Sequence, residues 1–277
     1  MTWWAIDVRP RPERREWVGA WLVSRTGQAV EEREDGTLVT FAQDEQAADA
    51  LMAALVEEER APIESSRRPL DVVDWTTRWR DGLGPRRFGR LTVVPSWVAT
   101  TSDAPGPLVV LDPETAFGSG EHGSTRAALA LLERHLTRGD RVLDLGSGSG
   151  ILAIAAAKLG AAAAVGIEND ADANPVAWRN ARRNGVGNSV AFIDGDAGDL
   201  APLLGPADLV LSNILRTVNT SLLPAIVSAL RAGGLAIFSG MEEGEAMLFR
   251  PVLAAAGLAA RDETVDSGWW AVAAARA

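Results

Sequence analysis

Apolar positions recur with two different periods along the chain, and the change of period divides it. Trp3 to Val8 reads as a strand, and Glu13 to Ser24 places Trp17, Val18, Trp21 and Leu22 on one helical face. Ala29 to Glu34 and Thr37 to Ala42 flank Asp35-Gly36, a dipeptide that favours a hairpin turn. A second amphipathic helix, Asp44 to Glu59, carries Ala47, Leu51, Ala54 and Leu55, and a fourth strand is expected near Ile63.

Strand, helix, hairpin and helix in that order predict a small α+β unit of ferredoxin-like type over residues 1–70. From about residue 108 the period alternates strictly between strand and helix. Strands are expected near 141–146, 163–168, 190–194, 208–213, 234–239, 258–265 and 269–275, and helices near 124–137, 150–159, 172–184, 217–230 and 244–256. Such alternation implies a parallel sheet covered by helices on both faces. Only Asp266-Ser-Gly268 separates the last two strands, so they form a hairpin. The expected fold for 108–277 is therefore α/β and Rossmann-like, a seven-stranded, mostly parallel sheet with a C-terminal antiparallel hairpin. Residues 71–107 read as a connector. Its Trp75, Trp79 and Trp97, among several prolines, make it too apolar for a flexible linker, so it is expected to pack on a domain.

The most informative stretch is Arg141 to Gly160. An apolar strand runs into Gly146, Gly148 and Gly150 at alternate positions, and a helical pattern follows at once. Glycines allow a tight turn and close backbone approach to a ligand, and the helix that opens next points free N–H groups at the same place. The pyrophosphate fingerprint G-x-G-x-x-G is not met, because Ile151 stands three after Gly148. Asp144, two residues before the first glycine, would repel a pyrophosphate and attract a ligand carrying an ammonium and a sulfonium. Glu168 ends the next apolar run, where an acid accepts hydrogen bonds from ribose hydroxyls. Together these predict S-adenosylmethionine, held by Asp144, Gly146, Ser147, Gly148, Gly150 and Glu168. A glycine turn without a ligand is the alternative.

Four further segments fall at strand ends or in loops. Asp196, in Asp194-Gly-Asp-Ala197, is placed to accept from an adenine amino group. Asn213, in Ser212-Asn-Ile-Leu215, has both donor and acceptor capacity where a methyl acceptor is expected. The glycine-rich loop of residues 111–125 carries Phe117, an aromatic lid for a flat ligand, and His122, a candidate base or an ordinary loop histidine. Thr125 begins the following helix, which suits an anion such as the methionyl carboxylate. Trp269-Trp270 is expected to serve core or interface packing.

Composition narrows the partners. The chain has no cysteine, which excludes disulfides and thiolate metal sites, and its two histidines, His122 and His135, are too few for a typical zinc site. No metal is expected. A net charge of −10 argues against stable nucleic-acid binding and favours a basic protein or peptide as substrate. The arginines at 78, 80, 86, 87 and 90 read as a solvated part of the connector rather than an RNA contact. There is no apolar run of membrane-spanning length, and the first ten residues lack the n- and h-regions of a signal peptide. A cytoplasmic monomer is expected.

The motifs also carry a resemblance. Ala116-Phe-Gly-Ser-Gly-Glu-His-Gly-Ser-Thr125, Val142-Leu-Asp-Leu-Gly-Ser-Gly-Ser-Gly-Ile-Leu-Ala-Ile-Ala155, Val165-Gly-Ile-Glu168 and Ser212-Asn-Ile-Leu215 resemble the ribosomal protein L11 methyltransferase (PrmA) family. Serines at 119 and 124 replace threonines of the family pattern A-F-G-T-G-x-H-x-T-T. Asp74-Trp75, Trp79-Arg80 and Val94-Pro-Ser-Trp97 extend the likeness into the connector. The resemblance implies a class I S-adenosylmethionine-dependent methyltransferase acting on lysine side chains and the N-terminal amine of the ribosomal protein, with residues 1–70 as the substrate-recognition domain. Asn213 and His122 are then the catalytic candidates, Asn213 orienting the amine. Alternatives are a lysine methyltransferase for another protein, a nucleic-acid adenine methyltransferase, which would usually read Asn/Asp-Pro-Pro-Tyr/Phe at 212–215, and a non-catalytic binding module.

Overall fold

The structure, a computed structural model, describes residues 3–26, 30–33, 35–59, 63–69, 84–98, 106–112, 114 and 116–276. The chain divides into two compact units, Met1–Arg78 and Trp79–Ala277.

In the first unit the order is β1 (Trp4–Arg9), α1 (Arg15–Thr26), β2 (Glu31–Glu32), β3 (Leu38–Ala42), α2 (Glu45–Glu59) and β4 (Glu64–Pro69). The strands form an antiparallel sheet in the order β2-β3-β1-β4, which is the ferredoxin-like arrangement expected. Ile6 and Val8 alternate inward along β1 and meet Val18 and Leu22 of α1, Leu38 of β3 and Leu55 of α2 in the core. β4 is an edge strand of sequence Glu-Ser-Ser-Arg-Arg-Pro. Polar residues and proline suit an edge, where pairing with another chain must be discouraged.

The second unit opens with β5 (Arg86–Phe88), β6 (Leu91–Val94) and β7 (Leu108–Val110), a three-stranded sheet in that order. Part of the stretch read as a connector thus forms strands of the second unit. Phe88, Leu91 and Val93 are buried there with Val109 and Leu111 in one core cluster. Trp75, Trp79 and the arginines at 78 and 80 lie outside the described residues. Of the remaining arginines, Arg86 pairs with Glu121 and Arg90 with Glu133, while Arg87 donates to the Gly89 carbonyl.

The main layer follows as α3 (Gly123–His135), β8 (Arg141–Leu145), α4 (Ile151–Leu159), β9 (Ala163–Glu168), α5 (Ala173–Arg183), β10 (Val190–Asp194), α6 (Ala197–Leu204), β11 (Ala207–Asn213), α7 (Arg216–Ala229), β12 (Leu230–Glu242), α8 (Ala246–Ala255), β13 (Leu258–Asp266) and β14 (Trp269–Arg276). The sheet order is β10-β9-β8-β11-β12-β14-β13, and β14 runs antiparallel to both of its neighbours. The expected seven-stranded sheet and hairpin are both present. α4 is apolar almost all round, Ile-Leu-Ala-Ile-Ala-Ala-Ala, because it is buried on nearly every face. Helix α6 was not expected. It has only eight residues with Pro202 inside, and its first-turn amides are held by Asp196, whose carboxylate accepts from Gly198 N at 2.6 Å. The chain order reverses between β8 and β11, and a cleft opens at the carboxyl ends of the strands there.

Candidate active site

A cavity of about 550 Å³ occupies that cleft. Gly146 and Gly148 form its floor, Glu168, Asn169, Gly195 and Asp196 one wall, and Asn213 to Leu215, Val218 and Gly240 the other. Phe117, His122, Ser124 and Trp269 complete it.

The floor follows directly from sequence. Gly146, Gly148 and Gly150 all take positive φ, at 70°, 50° and 80°, so the loop needs glycine at each. A Cβ on Gly148 would stand 2.6 Å from the carbonyl oxygen of Phe117. The two loops therefore touch, and Ser149 joins them, its N–H donating to Phe117 O at 2.9 Å and its hydroxyl to Gly118 O at 2.6 Å.

The acidic wall comes from the end of β9 and the turn after β10. Glu168 ends β9, and its carboxylate accepts from Gly148 N at 2.9 Å and from the amides of Asn169 and Asp170 at 2.9 and 3.0 Å. Asp196 caps α6 with its carboxylate beside the same cavity. Asp144 is placed differently from the direct contact expected. It is 1 % exposed and does not line the cavity. One oxygen accepts from Ala153 N at 3.1 Å, pinning the first turn of α4, and the other has no hydrogen-bond partner among the described residues. Burial drives its pKa up to about 7, with the charge of Glu168 adding to the rise and the Ala153 N–H opposing it.

Ser147, Gly150 and Thr125 also stand behind the surface. The Ser147 side chain packs where a Cβ on Gly166 would sit, and Gly150 packs against Phe192 and Ala177. Thr125 is fully buried in α3, and its hydroxyl accepts from Asn213 Nδ2 at 3.2 Å. That bond fixes the Asn213 carboxamide. Asn213 is 9 % exposed, and its Oδ1 has no partner among the described residues. The end of β11 thus places a fixed carboxamide in the cavity wall, with its Oδ1 buried.

His122 bonds Ser124 Oγ through Nδ1 at 2.8 Å and sits between Phe117 and Trp269, with ring centroids 5.4 and 4.3 Å away. Burial, with the nearby Arg126 charge second, holds its pKa below the ordinary imidazole value. Phe117 is 58 % exposed, open on the cavity. The tryptophan pair splits, contrary to the single packing role expected for both. Trp270 is buried in the core, whereas Trp269 lines the cavity. Neighbouring strand residues face opposite ways, and that rule was the signal available for separating them. Arg126 secures the Trp269 turn by bonding Asp266 at 2.5 Å and Ser267 Oγ at 2.8 Å. Ile214, Leu215, Val218 and Gly240 were also missed, because their part in the wall depends on how α7 and β12 meet.

The fold has known counterparts. The family model for ribosomal protein L11 methyltransferase (PrmA) matches residues 15–277. The chain belongs to this family. Among its relatives, the ribosomal protein L11 methyltransferase of Pelotomaculum thermopropionicum is 40 % identical over 210 residues, 76 % of this chain and 68 % of that protein. The corresponding protein of Thermus thermophilus is 40 % identical over 208 residues, 75 % of this chain and 80 % of that one. The crystal structure of a ribosomal protein L11 methylase from Lactobacillus delbrueckii superposes with a TM-score of 0.63 at 30 % identity, covering 70 % of this chain and 98 % of that one. The chain is thus a class I S-adenosylmethionine-dependent methyltransferase by family and by fold. Among the described residues no helix is long and apolar enough to cross a membrane, and no cluster of His, Cys, Asp or Glu is placed to hold a metal ion.

Proposed function

We propose that this chain transfers methyl groups from S-adenosylmethionine to lysine side chains and the N-terminal amine of ribosomal protein L11. The observation that carries the reading is a glycine-floored, acid-lined cavity with the Asn213 carboxamide, held by Thr125, in its wall. The residues present fit the methyl donor. The volume lies in the range of small-molecule sites, ~300–1,000 Å³, and the Gly148 cradle has no room for a Cβ. Carboxylates rather than cations line the nucleoside side, which suits hydroxyl and amino donors and a positive sulfonium. Glu168 then holds the ribose hydroxyls and Asp196 the adenine amino group. Gly146 and Gly148 give close backbone approach, Phe117 covers the ligand, and Asp144, Ser147, Gly150 and Thr125 brace these groups from behind. When bound, S-adenosylmethionine supplies an electrophilic methyl group.

The protein's own contribution is to orient the amine and exclude water. Asn213, in the cavity wall, orients the incoming amine. A lysine of ordinary pKa, near ~10.4, costs about 4.6 kcal/mol to neutralise at pH 7. The apolar surround of Ile214, Leu215, Val218 and Trp269 lowers that cost by desolvating the ammonium. His122, kept neutral, is a candidate to receive the proton. The Met1–Arg78 unit serves as the substrate-recognition domain, and the enzyme works as a cytoplasmic monomer. The test is mass spectrometry of unmethylated ribosomal protein L11 after incubation with this chain and S-adenosylmethionine. Added masses in steps of one methyl, located to amines, are expected. An unmodified protein would refute the reading.

A further inference from the structure

We propose that Asn180 is a positioning residue for the cavity, acting through the two loops that build it, whereas Asn184 serves only the strand beneath. The inference rests on the proposed binding of S-adenosylmethionine at this site. Asn180 lies in α5 and is fully buried. Its Nδ2 donates to Asp112 O at 3.0 Å and to Ser149 O at 3.1 Å. Its Oδ1 accepts from Asp112 N at 3.1 Å and from Arg183 Nη1 at 2.7 Å. Both hydrogens and both lone pairs are used.

Asn184, one turn on, repeats half of this pattern. Its Oδ1 accepts from Val110 N at 2.8 Å, and its Nδ2 donates to Val110 O at 2.7 Å and to Asn180 O at 2.9 Å. Residues 110 and 112 present their amide and carbonyl groups to the same edge of an extended segment, about 6.6 Å apart. Residues four apart on a helix rise by about 6 Å. Two asparagine side chains at that spacing therefore take the place of a neighbouring strand along the edge that runs from β7 into the Phe117 loop. The opposite edge is already paired, with Leu111 N donating to Val94 O at 2.9 Å.

Only Asn180 reaches further. Its bond to Ser149 O grips the glycine loop, and Ser149 in turn grips Phe117 and Gly118 through its N–H and hydroxyl. Asp112 has other anchors, since its carboxylate takes Ser96 N at 3.0 Å, Ser96 Oγ at 2.6 Å and Arg183 Nη2 at 2.8 Å. Loss of the Asn180 amide therefore leaves Asp112 held by its carboxylate and removes the tie between the glycine loop and α5. Displacement of Ser149 then moves Gly148 and Phe117, both of which line the cavity.

The experiment compares full-length N180L and N184L with the unaltered chain. Each variant loses buried hydrogen bonds, so both are expected to melt at lower temperature. Titration calorimetry with S-adenosylmethionine separates them. N180L is expected to raise Kd about tenfold or more, the equivalent of losing roughly one hydrogen bond's worth of preorganisation, whereas N184L stays within about twofold. Hydrogen exchange is expected to rise at 116–120 and 146–150 in N180L only, and at 108–112 in N184L. Should N180L fail to fold, N180D keeps the acceptor and loses both donors, and it is expected to weaken cofactor binding while the Asp112 amide stays protected. Equal Kd values and equal exchange in the 146–150 loop for the Asn180 and Asn184 variants would overturn the assignment. Failure of the unaltered chain to bind S-adenosylmethionine would instead overturn the functional reading, and the exchange data would still report on the loops.

Discussion

Replacing Asp144 by asparagine is expected to change the pH dependence of stability. The carboxyl is buried, one of its oxygens has no partner among the described residues, and its pKa stands at about 7 against an ordinary 3.8. The folded chain therefore holds this proton more tightly than the unfolded chain. Between the two values the unfolded state binds fewer protons, so stability falls as pH rises through the window and levels off above about 7. The carboxamide of Asp144→Asn would mimic the protonated acid at every pH, keeping an acceptor for Ala153 N and carrying no charge. Each pKa unit corresponds to about 1.4 kcal/mol. Between pH 5 and pH 8 the unaltered chain should thus lose about 2–3 kcal/mol relative to the variant. The absolute offset is smaller, because a buried amide N–H without a partner itself costs about 1–3 kcal/mol. Urea unfolding of both proteins at pH 5, 6, 7 and 8 reads the difference directly. Parallel stability curves would refute the buried, raised-pKa carboxyl. Cofactor affinity should fall only modestly in the variant, since Asp144 braces α4 from behind the cavity surface.

Three further outcomes follow from the geometry. Asn213→Ala should lower the rate of methyl transfer at least tenfold, with cofactor Kd changed less than about threefold, measured by steady-state kinetics beside calorimetry; a collapse of cofactor binding would place Asn213 on the wrong side of the site. Glu168→Ala should weaken S-adenosylmethionine by on the order of 1.5–3 kcal/mol, because it removes both the carboxylate and the bond to Gly148 N; unchanged affinity would sink its assignment. His122 is held below its ordinary pKa by burial and then by Arg126, so the ratio of unaltered to His122→Phe transfer rates should be flat near neutral pH and drop only at a pH below the ordinary imidazole range; a ratio constant down to acid pH would remove His122 from the proton inventory.

Regular alternation made the seven-stranded sheet legible, because each parallel strand is a mostly apolar run closed by glycine, an acid or asparagine. The N-terminal unit was readable for the same reason in β1, α1 and α2, while β4 was indistinct because an edge strand has little apolar surface to declare. Strands β5, β6 and β7 escaped notice. They are only three or four residues long, β5 begins with two arginines, and they derive their burial from helices that arrive later in the chain. In the site, single-segment features were visible: the glycine turn, the strand-end acids and the Asn213 segment. What sequence could not display were pairings between distant segments. Asn213 meets Thr125 across 88 positions, and Asn180 meets Asp112 across 68. Nothing local marks either asparagine as shared, so Thr125 was expected at a ligand and Asn180 was not expected at all.

Charge explains why this sheet, whose switch point in other chains holds dinucleotides, suits a different guest. A pyrophosphate site needs bare helix N–H groups and an uncharged approach. Here the first turn of α4 is occupied by Asp144, which takes Ala153 N, and the Gly148 amide is taken by Glu168. Two of the donors that would bind phosphate are thus taken by acidic side chains. Glu168 and Asp196 then face the cavity, and its lone histidine is held neutral by burial and by Arg126. A protonated imidazole between Phe117 and Trp269 would repel both a sulfonium and an ammonium brought up to it. The same burial that suppresses that charge also favours the neutral amine needed for attack. On the proposed reading, cofactor preference and amine activation come from one electrostatic arrangement, an acidic wall of Glu168 and Asp196 opposite an apolar wall of Ile214, Leu215 and Val218.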